Sequence, residues 1–177
     1  VFAGDLVEAH RQGTHLVRRT AMRPVEAPFD LVITSNSGYP LDLNLYQAVK
    51  GMVAAAQVVR DGGDIIVAAS CWDGIPDHGE YKRLLWEAES VDDLLERMMA
   101  PGFRCHDQWE AQVQAQIQKK ANVHVYADGL SEKELERALV IPCPSIEDRV
   151  AEIRRKNPAA TIAVLPDGPQ TVPYVSA

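Results

Sequence analysis

The sequence predicts an α/β fold, with helices layered around a mostly parallel sheet. Three observations carry this. Short apolar runs rich in β-branched residues recur at 29–34, 64–69, 123–126 and 161–165. Between them lie stretches whose apolar residues are spaced by three and four. Clusters of Gly, Pro, Asn, Asp and Ser punctuate the boundaries. Strands alternating with helices in this way imply a parallel sheet, and ligands of such folds bind beyond the carboxyl ends of the strands.

In chain order, 5–21 reads as a helix with Leu6, Ala9, Leu16 and Val17 as core contacts, weakened by Gly13. The run 29–34 is a buried strand that ends in the turn-forming loop 35–40. A helix over 43–60 follows and stops at Gly62-Gly63, and 64–69 is the second buried strand. After the loop 70–80, Tyr81, Leu84, Leu85 and Ala88 mark one short helix; Val91, Leu94, Leu95 and Met98 mark another. Pro101 and Gly102 break that pattern. The next helix covers 106–121, with Trp109, Val113 and Ile117 in one row. Beyond the third strand, 123–126, Ser131 and Glu134 form a capping-box pattern, and Ser145 with Asp148 a weaker helix start. The fourth strand, 161–165, closes at Pro166-Asp167-Gly168-Pro169. The loops after the first two strands, 35–42 and 70–80, are where chemistry is expected.

The 177 residues suffice for one domain with a real core, and 46% apolar with 24% charged residues is a globular composition. A formal net charge of −7 argues against nucleic acid or an anionic membrane as the main partner. The apolar runs are too short to span a membrane, and no signal peptide is visible. Cys71, Cys105 and Cys143 are odd in number and form no CxxC, which fits a reducing cytoplasm rather than a disulfide framework. The chain opens on Val1 without an initiator Met, as a piece of a longer protein would.

The 43–60 helix is the most informative element. Leu45, Ala48, Val49, Met52, Val53, Ala56 and Val59 form one stripe facing the core, at ~100° per residue. Gln47 and Lys50 lie on the other side as surface neighbours, and Tyr46 with Lys50 sits at the stripe's edge. Lys offers a charged donor, Gln a neutral one, and a helix N-terminus adds positive potential, so the group suits a carboxylate. An ordinary solvated face is the plain alternative. The backbone amides of 35–38 can also receive an anion, although no glycine-rich phosphate fingerprint is present. Among the five histidines there is no HxH or HExxH pattern. His78, near Asp73 and Asp77 in the second loop, is the one placed to face a cleft; Trp72 and Asp73 join it as second-tier candidates. Trp109 either packs or lines a site, and Trp86 reads as packing.

At Val32-Ile33-Thr34-Ser35-Asn36-Ser37-Gly38-Tyr39-Pro40-Leu41-Asp42 and Asn44-Leu45-Tyr46-Gln47-Ala48-Val49-Lys50-Gly51-Met52 the chain resembles the C-terminal domain of the lactate racemase family. Phe2-Ala3-Gly4-Asp5, Glu8-Ala9-His10, Gly62-Gly63-Asp64-Ile65-Ile66 and Leu165-Pro166-Asp167-Gly168-Pro169 extend the resemblance over essentially the whole chain. It implies a single domain over 1–177, with 1–28 as interdomain helix and lead-in, from a two-domain enzyme. Such enzymes invert a 2-hydroxy acid by hydride transfer to a nickel-pincer nucleotide attached to a lysine of the N-terminal domain. The acid–base histidines and the nickel ligand belong to that domain as well, and the active site lies between the two. The resemblance implies Gln47 and Lys50 as the catalytic, substrate-side pair and Trp109 as a site-lining residue. Tyr46, Gly38 and Tyr39 complete the expected substrate-binding set, Gly38 with Pro40 chiefly shaping the loop. No metal ligand and no bound cofactor are expected in this chain, and the chain alone is expected to be inactive. Two alternatives remain open: a different enzyme of this architecture acting on another 2-hydroxy acid or sugar acid, and a non-catalytic domain that holds a small anion or serves in assembly.

Overall fold

A computed structural model describes residues 1–176. The elements are α1 (Leu6–Thr20), β1 (Met22–Val25), β2 (Phe29–Ser35), α2 (Leu45–Ala56), β3 (Val59–Ala68), α3 (Tyr81–Glu87) and α4 (Val91–Met99). They continue as α5 (Gln108–Lys120), β4 (Asn122–Tyr126), α6 (Glu132–Arg137), β5 (Ile141–Pro142), α7 (Ile146–Lys156) and β6 (Ile162–Leu165). A single 3-10 turn at Gly168–Gln170 leads into β7 (Val172–Val175).

The main sheet has the order β5-β4-β3-β2-β6, and every neighbouring pair is parallel. From β2 the chain adds strands in one direction, then returns through α7 to place β6 on the far side of β2. Right-handed crossovers then put helices on both faces, and the two cores confirm it. Val32, Ile65, Val67, Val123 and Val125 share a core with Leu45, Val49, Met52, Tyr81 and Leu85 from α2 and α3. Leu31, Ile66 and Cys143 pack on the opposite face with Val150 and Ile153 of α7. The alternation Leu31/Val32 and Ile65/Ile66 is the period-two signature of a strand covered on both faces. Fully burying each such side chain contributes about 1.5–3 kcal/mol.

Several sequence expectations change here. The central helix ends at Ala56, and Val59 belongs to β3 rather than to the helical stripe. Phe29 pairs with Val59, but Leu31 pairs with Asp64, so residues 60–63 bulge out of register. Gly62, at φ +71°, makes that bulge and does not terminate a helix. Val53, placed in the stripe, is exposed, and Ala54 is buried instead. The row Trp109/Val113/Ile117 is not the buried face of α5; Glu110, Ala111, Gln114, Ala115 and Ile117 are buried. Finally, α1 buries none of its residues, and Leu6, Leu16 and Val17, expected in the core, are 84%, 41% and 48% exposed. Its form comes from local signals: Asp5 caps it by accepting from the amides of Val7 and Glu8 at 3.1 Å.

Strands β1, β5 and β7 were not predicted. β5 has two residues, and Pro24 and Pro173 interrupt the other two, which pair with each other as a separate parallel ribbon. Among the described residues no helix is long and apolar enough to cross a membrane.

What seats α2 on the sheet is a glycine. A Cβ at Gly51 would lie 2.8 Å from the Ser35 carbonyl oxygen at the end of β2. The helix thus approaches the strand at backbone distance, and the Gly51 amide donates to Asn36 Oδ1 at 3.0 Å. Gly51→Ala is expected to lower stability by about 1–3 kcal/mol, although alanine is the better helix former. Urea unfolding of the two proteins checks this; an unchanged or raised midpoint contradicts it.

Candidate active site

The loops that follow β2 and β3 are knitted together by short polar residues. Asp42 accepts from the Ser70 amide through Oδ2 at 3.0 Å, and its carbonyl accepts from the Cys71 amide at 2.9 Å. The Asp73 amide donates to the Leu43 carbonyl and the Leu45 amide to that of Gly74, each at 3.0 Å. Asn36 donates through Nδ2 to the Leu41 carbonyl, closing the first loop. Asn44 caps α2 by accepting from the Gln47 amide at 3.1 Å, and its Nδ2 reaches Asp73 Oδ2 at 3.4 Å. The first turns of α2 are held from both sides before any ligand is considered.

On this frame the outer face of α2 presents Tyr46, Gln47 and Lys50. Lys50 Nζ donates to Gln47 Oε1. That bond uses the amide oxygen and leaves the Gln47 NH2 as a donor, so the pair offers N–H groups of both kinds to one anion. Lys50 is exposed and Gln47 half-buried. Trp109, at the start of α5, stands 54% exposed with its ring edge-on to Tyr46, centroids 6.0 Å apart. Tyr46 in turn meets Tyr81 edge-on at 5.2 Å, and Tyr81 donates to Gln114 Oε1. The platform therefore continues inward as an aromatic and polar column rather than as plain hydrocarbon.

At the head of that column is Glu110, only 1% exposed. Burial pushes its carboxyl up to about 7, while the positive charge of Lys50 pulls it down and Asp107 pushes it up. The same charge, after burial, raises the Tyr46 and Tyr81 hydroxyls. The sequence reading missed Glu110 because Trp109, Val113 and Ile117 already completed an apolar row. The signal available was the competing row Ala111/Ala115, which carries Glu110 and Gln114 inward with it.

A cavity of about 200 Å³ opens beside Gln47, lined among others by Asn44, Tyr46, His78, His106 and Asp107. His106 Nδ1 lies 3.0 Å from Asp107 Oδ2. Asp107 also packs against Gly79, where a Cβ would come within 1.9 Å of its carboxylate, so the 73–80 loop closes directly on the start of α5. Of the predicted residues, Tyr46, Gln47, Lys50 and Trp109 come together, and His78 shares the cavity of Gln47 and Tyr46. Asp73 supports the Asn44 cap. Tyr39 and Trp72 pair with each other, centroids 6.4 Å apart and both mostly exposed, and neither lines that cavity. Gly38, at φ +70°, shapes its loop and accepts from the Leu41 and Asp42 amides. Among the described residues no group of three or more His, Cys, Asp or Glu side chains gathers as metal ligands.

A second cavity, about 390 Å³, lies at the opposite, amino-terminal ends of the strands. Its polar groups pair with one another: Arg60 with Asp30 at 2.7 Å, the His124 ring with Asp64 at 2.9 Å, and Arg149 and Lys156 with Glu152 at 2.6 and 2.8 Å.

The described site can be set beside known proteins. The family model of the lactate racemase C-terminal domain matches residues 25–172. The chain belongs to that family. It is 38% identical over 173 residues to the lactate racemase of Thermoanaerobacterium thermosaccharolyticum, covering 94% of this chain and 39% of that protein. Against the lactate racemase of Lactiplantibacillus plantarum it is 34% identical over 170 residues, covering 94% and 40%. Its fold matches the lactate racemase apoprotein structure from T. thermosaccharolyticum with a TM-score of 0.83 at 35% identity, over 93% of this chain and 40% of that one. A Thermotoga maritima protein structure shares the fold at TM-score 0.60 and 13% identity. The chain thus spans about two fifths of the length of the curated relatives it matches.

Glu110 gives the domain a stability signature. From an ordinary carboxyl value of 4.5 to about 7, the folded chain keeps a proton that the unfolded chain has released. Stability therefore falls as pH rises through this window. Glu110→Gln, neutral at every pH, is expected to be more stable than the parent by roughly 3 kcal/mol above pH 7, with the difference vanishing near pH 4.5. Denaturant titrations across that range check it, and a pH-independent difference contradicts it.

Proposed function

We propose that this chain is the C-terminal, substrate-side half of a lactate-type 2-hydroxy acid racemase or epimerase. The observation that carries the reading is the Lys50/Gln47 pair, with its free donors on the exposed face of α2 beside the half-exposed Trp109. Membership in the lactate racemase C-terminal domain family and the names of the curated relatives support it.

In this reading Lys50 neutralises the substrate carboxylate and Gln47 orients it through its NH2 group. Trp109 and Tyr46 form an apolar wall that limits how the rest of the substrate can lie. With one end fixed, C2 and its hydroxyl face away from this domain. The positive charge of Lys50 also favours the alkoxide over the neutral alcohol. Hydride chemistry belongs to a nickel-pincer nucleotide, which we place, with the acid–base histidines, on an N-terminal domain of the full-length protein. The described residues offer no gathered donor set for nickel, so no step is assigned to a metal held here. Residues 1–28 form the interdomain lead-in; the exposed Leu6, Val7 and Val17 of α1 suit a helix covered by another part of the protein. The isolated chain is inactive, and the three free cysteines fit a cytoplasmic protein.

The test is interconversion of D- and L-2-hydroxy acids by the full-length protein, made together with the enzymes that build the cofactor. Lys50→Ala is expected to lower kcat/KM by about 100-fold or more, the scale of a lost charge-stabilising donor. Its unfolding free energy should stay within about 0.5 kcal/mol of the parent, because Lys50 is exposed. A cofactor-loaded protein that racemises no 2-hydroxy acid contradicts the reading, and a small anion bound without turnover would point to a binding domain.

A further inference from the structure

The cavity of about 200 Å³ beside Gln47 is polar where a lactate methyl group would call for hydrocarbon. Tyr46 and Gln47 form its α2 side, and Asn44, His78, His106 and Asp107 are the other polar residues of its lining. Asn44 is committed to the fold, accepting from the Gln47 amide at 3.1 Å and reaching Asp73 at 3.4 Å. Asp107 is not. It is the N-cap of α5, where an aspartate ordinarily accepts from the first helix amides. Here it makes no side-chain capping bond, and its backbone is left-handed at φ +63°. Its carboxylate lies instead 3.0 Å from His106 Nδ1, and is 18% exposed against 80% for that imidazole. Gly79, which also lines the cavity, makes the room for it: a Cβ there would lie 1.9 Å from Asp107 Oδ2. The chain thus forgoes a helix cap and sets a carboxylate in the cavity wall.

We propose that this cavity is a second substrate subsite, which receives the chain beyond C2 and selects 2-hydroxy acids hydroxylated at C3 and C4, with Asp107 and His106 as specificity-determining residues. This rests on the assignment of Lys50 and Gln47 to the substrate carboxylate. Lys50 Nζ donates to Gln47 Oε1, so the residue that orients the carboxylate is also a wall of the cavity. The substituent on C2 of an acid held there has this space beside it. At about 30 Å³ per water, the cavity has the volume of roughly six waters, enough for a chain of about two hydroxylated carbons and far more than a methyl fills. Its chemistry chooses among substituents of that size. Hydroxyl groups donate to the Asp107 carboxylate and exchange bonds of either sense with the imidazoles of His78 and His106. An alkyl chain would strip water from those groups and return no hydrogen bond. A second carboxylate would meet Asp107, and among the described residues no lysine or arginine lines the cavity to offset it.

The experiment uses the full-length, cofactor-loaded protein and three substrates: 2,3,4-trihydroxybutanoate, its apolar isostere 2-hydroxy-3-methylpentanoate, and malate. Inversion at C2 is followed for each. The trihydroxy acid is expected to exceed the isostere in kcat/KM by at least about tenfold, with malate below the trihydroxy acid. Asp107→Gly, which keeps the left-handed backbone without strain, should collapse the trihydroxy-to-isostere ratio about tenfold. Asp107→Asn, the second variant, should raise malate relative to the trihydroxy acid several-fold, because the like charge is gone. A purely structural role for Asp107 would lower all three substrates alike and leave both ratios unmoved. A second readout needs no turnover: the imidazole signals of His78 and His106 in the same protein labelled with 15N-histidine, assigned through His78→Gln and His106→Gln. They should shift with the trihydroxy acid and stay put with the isostere. A parent that turns over the isostere as well as the trihydroxy acid overturns the subsite and leaves the racemase reading standing. Imidazole shifts specific to the trihydroxy acid, in a protein that inverts no 2-hydroxy acid, would keep the subsite and remove the racemase reading. No turnover and no shift overturns both.

Discussion

Helix α2 lies against the end of β2 at a distance that admits no side chain, and the rest of the site follows from this contact. The Ser35 carbonyl occupies the place of a Cβ at Gly51, and the Gly51 amide is tied to Asn36. Because that inner face is fixed, the outer face is fixed as well. Gln47 and Tyr46, four and five positions earlier, and Lys50 beside the glycine then lie together on one flank of the helix, to the side of the Gly51 contact. The Gly168 segment after β6 strengthens the clamp. A Cβ there would meet Thr34 Oγ1 at 2.3 Å and the Ser35 carbonyl at 2.5 Å, with Gly51 Cα at 3.3 Å. Two glycines far apart in sequence therefore meet at the carboxyl end of β2, which lies between β3 and β6 where the strand order reverses.

Electrostatics then divides the domain into two ends. At the carboxyl ends of the strands the polar side chains serve the loops: Asn36, Asp42 and Asn44 hold backbone, and Lys50 is left with spare donors. At the amino ends the charged groups are paired with one another. Asp30 illustrates the contrast. The Thr161 amide and hydroxyl, with Arg60, hold its carboxyl down to about 2, so it is committed to joining β2, β3 and the start of β6. An uncommitted cation beside a neutral donor and an exposed indole marks a binding surface more clearly than cavity size does.

Much of this was legible in the sequence because it depends on local pattern. Runs such as 64–69 and the spacing Leu45/Ala48/Val49/Met52 fix strands and a helix by periodicity, and Ser131 with Glu134 forms the capping box the sequence announced. The Tyr46, Gln47 and Lys50 grouping was visible for the same reason. What stayed hidden depends on contacts between distant segments. Gly62-Gly63 reads as a helix stop, yet it serves a bulge that only the pairing of Phe29 with Val59 and Leu31 with Asp64 reveals. The apolar residues of α1 look like a core stripe, but nothing among the described residues covers them. Glu110 was hidden because a buried carboxyl contradicts the hydrophobic pattern, and such contradictions are where function concentrates. Tyr39 and Trp72, read from the same two loops, lie near each other with ring centroids 6.4 Å apart and planes tilted by 31°.

The central claim is that Lys50 and Gln47 receive a carboxylate. The most direct measurement is a crystal structure of the full-length protein with a 2-hydroxy acid or its keto acid bound. The account predicts the carboxylate within hydrogen-bond distance of Lys50 Nζ and the Gln47 amide, with the Trp109 ring against the ligand. A carboxylate held by other cations, with Lys50 turned to solvent, would contradict it.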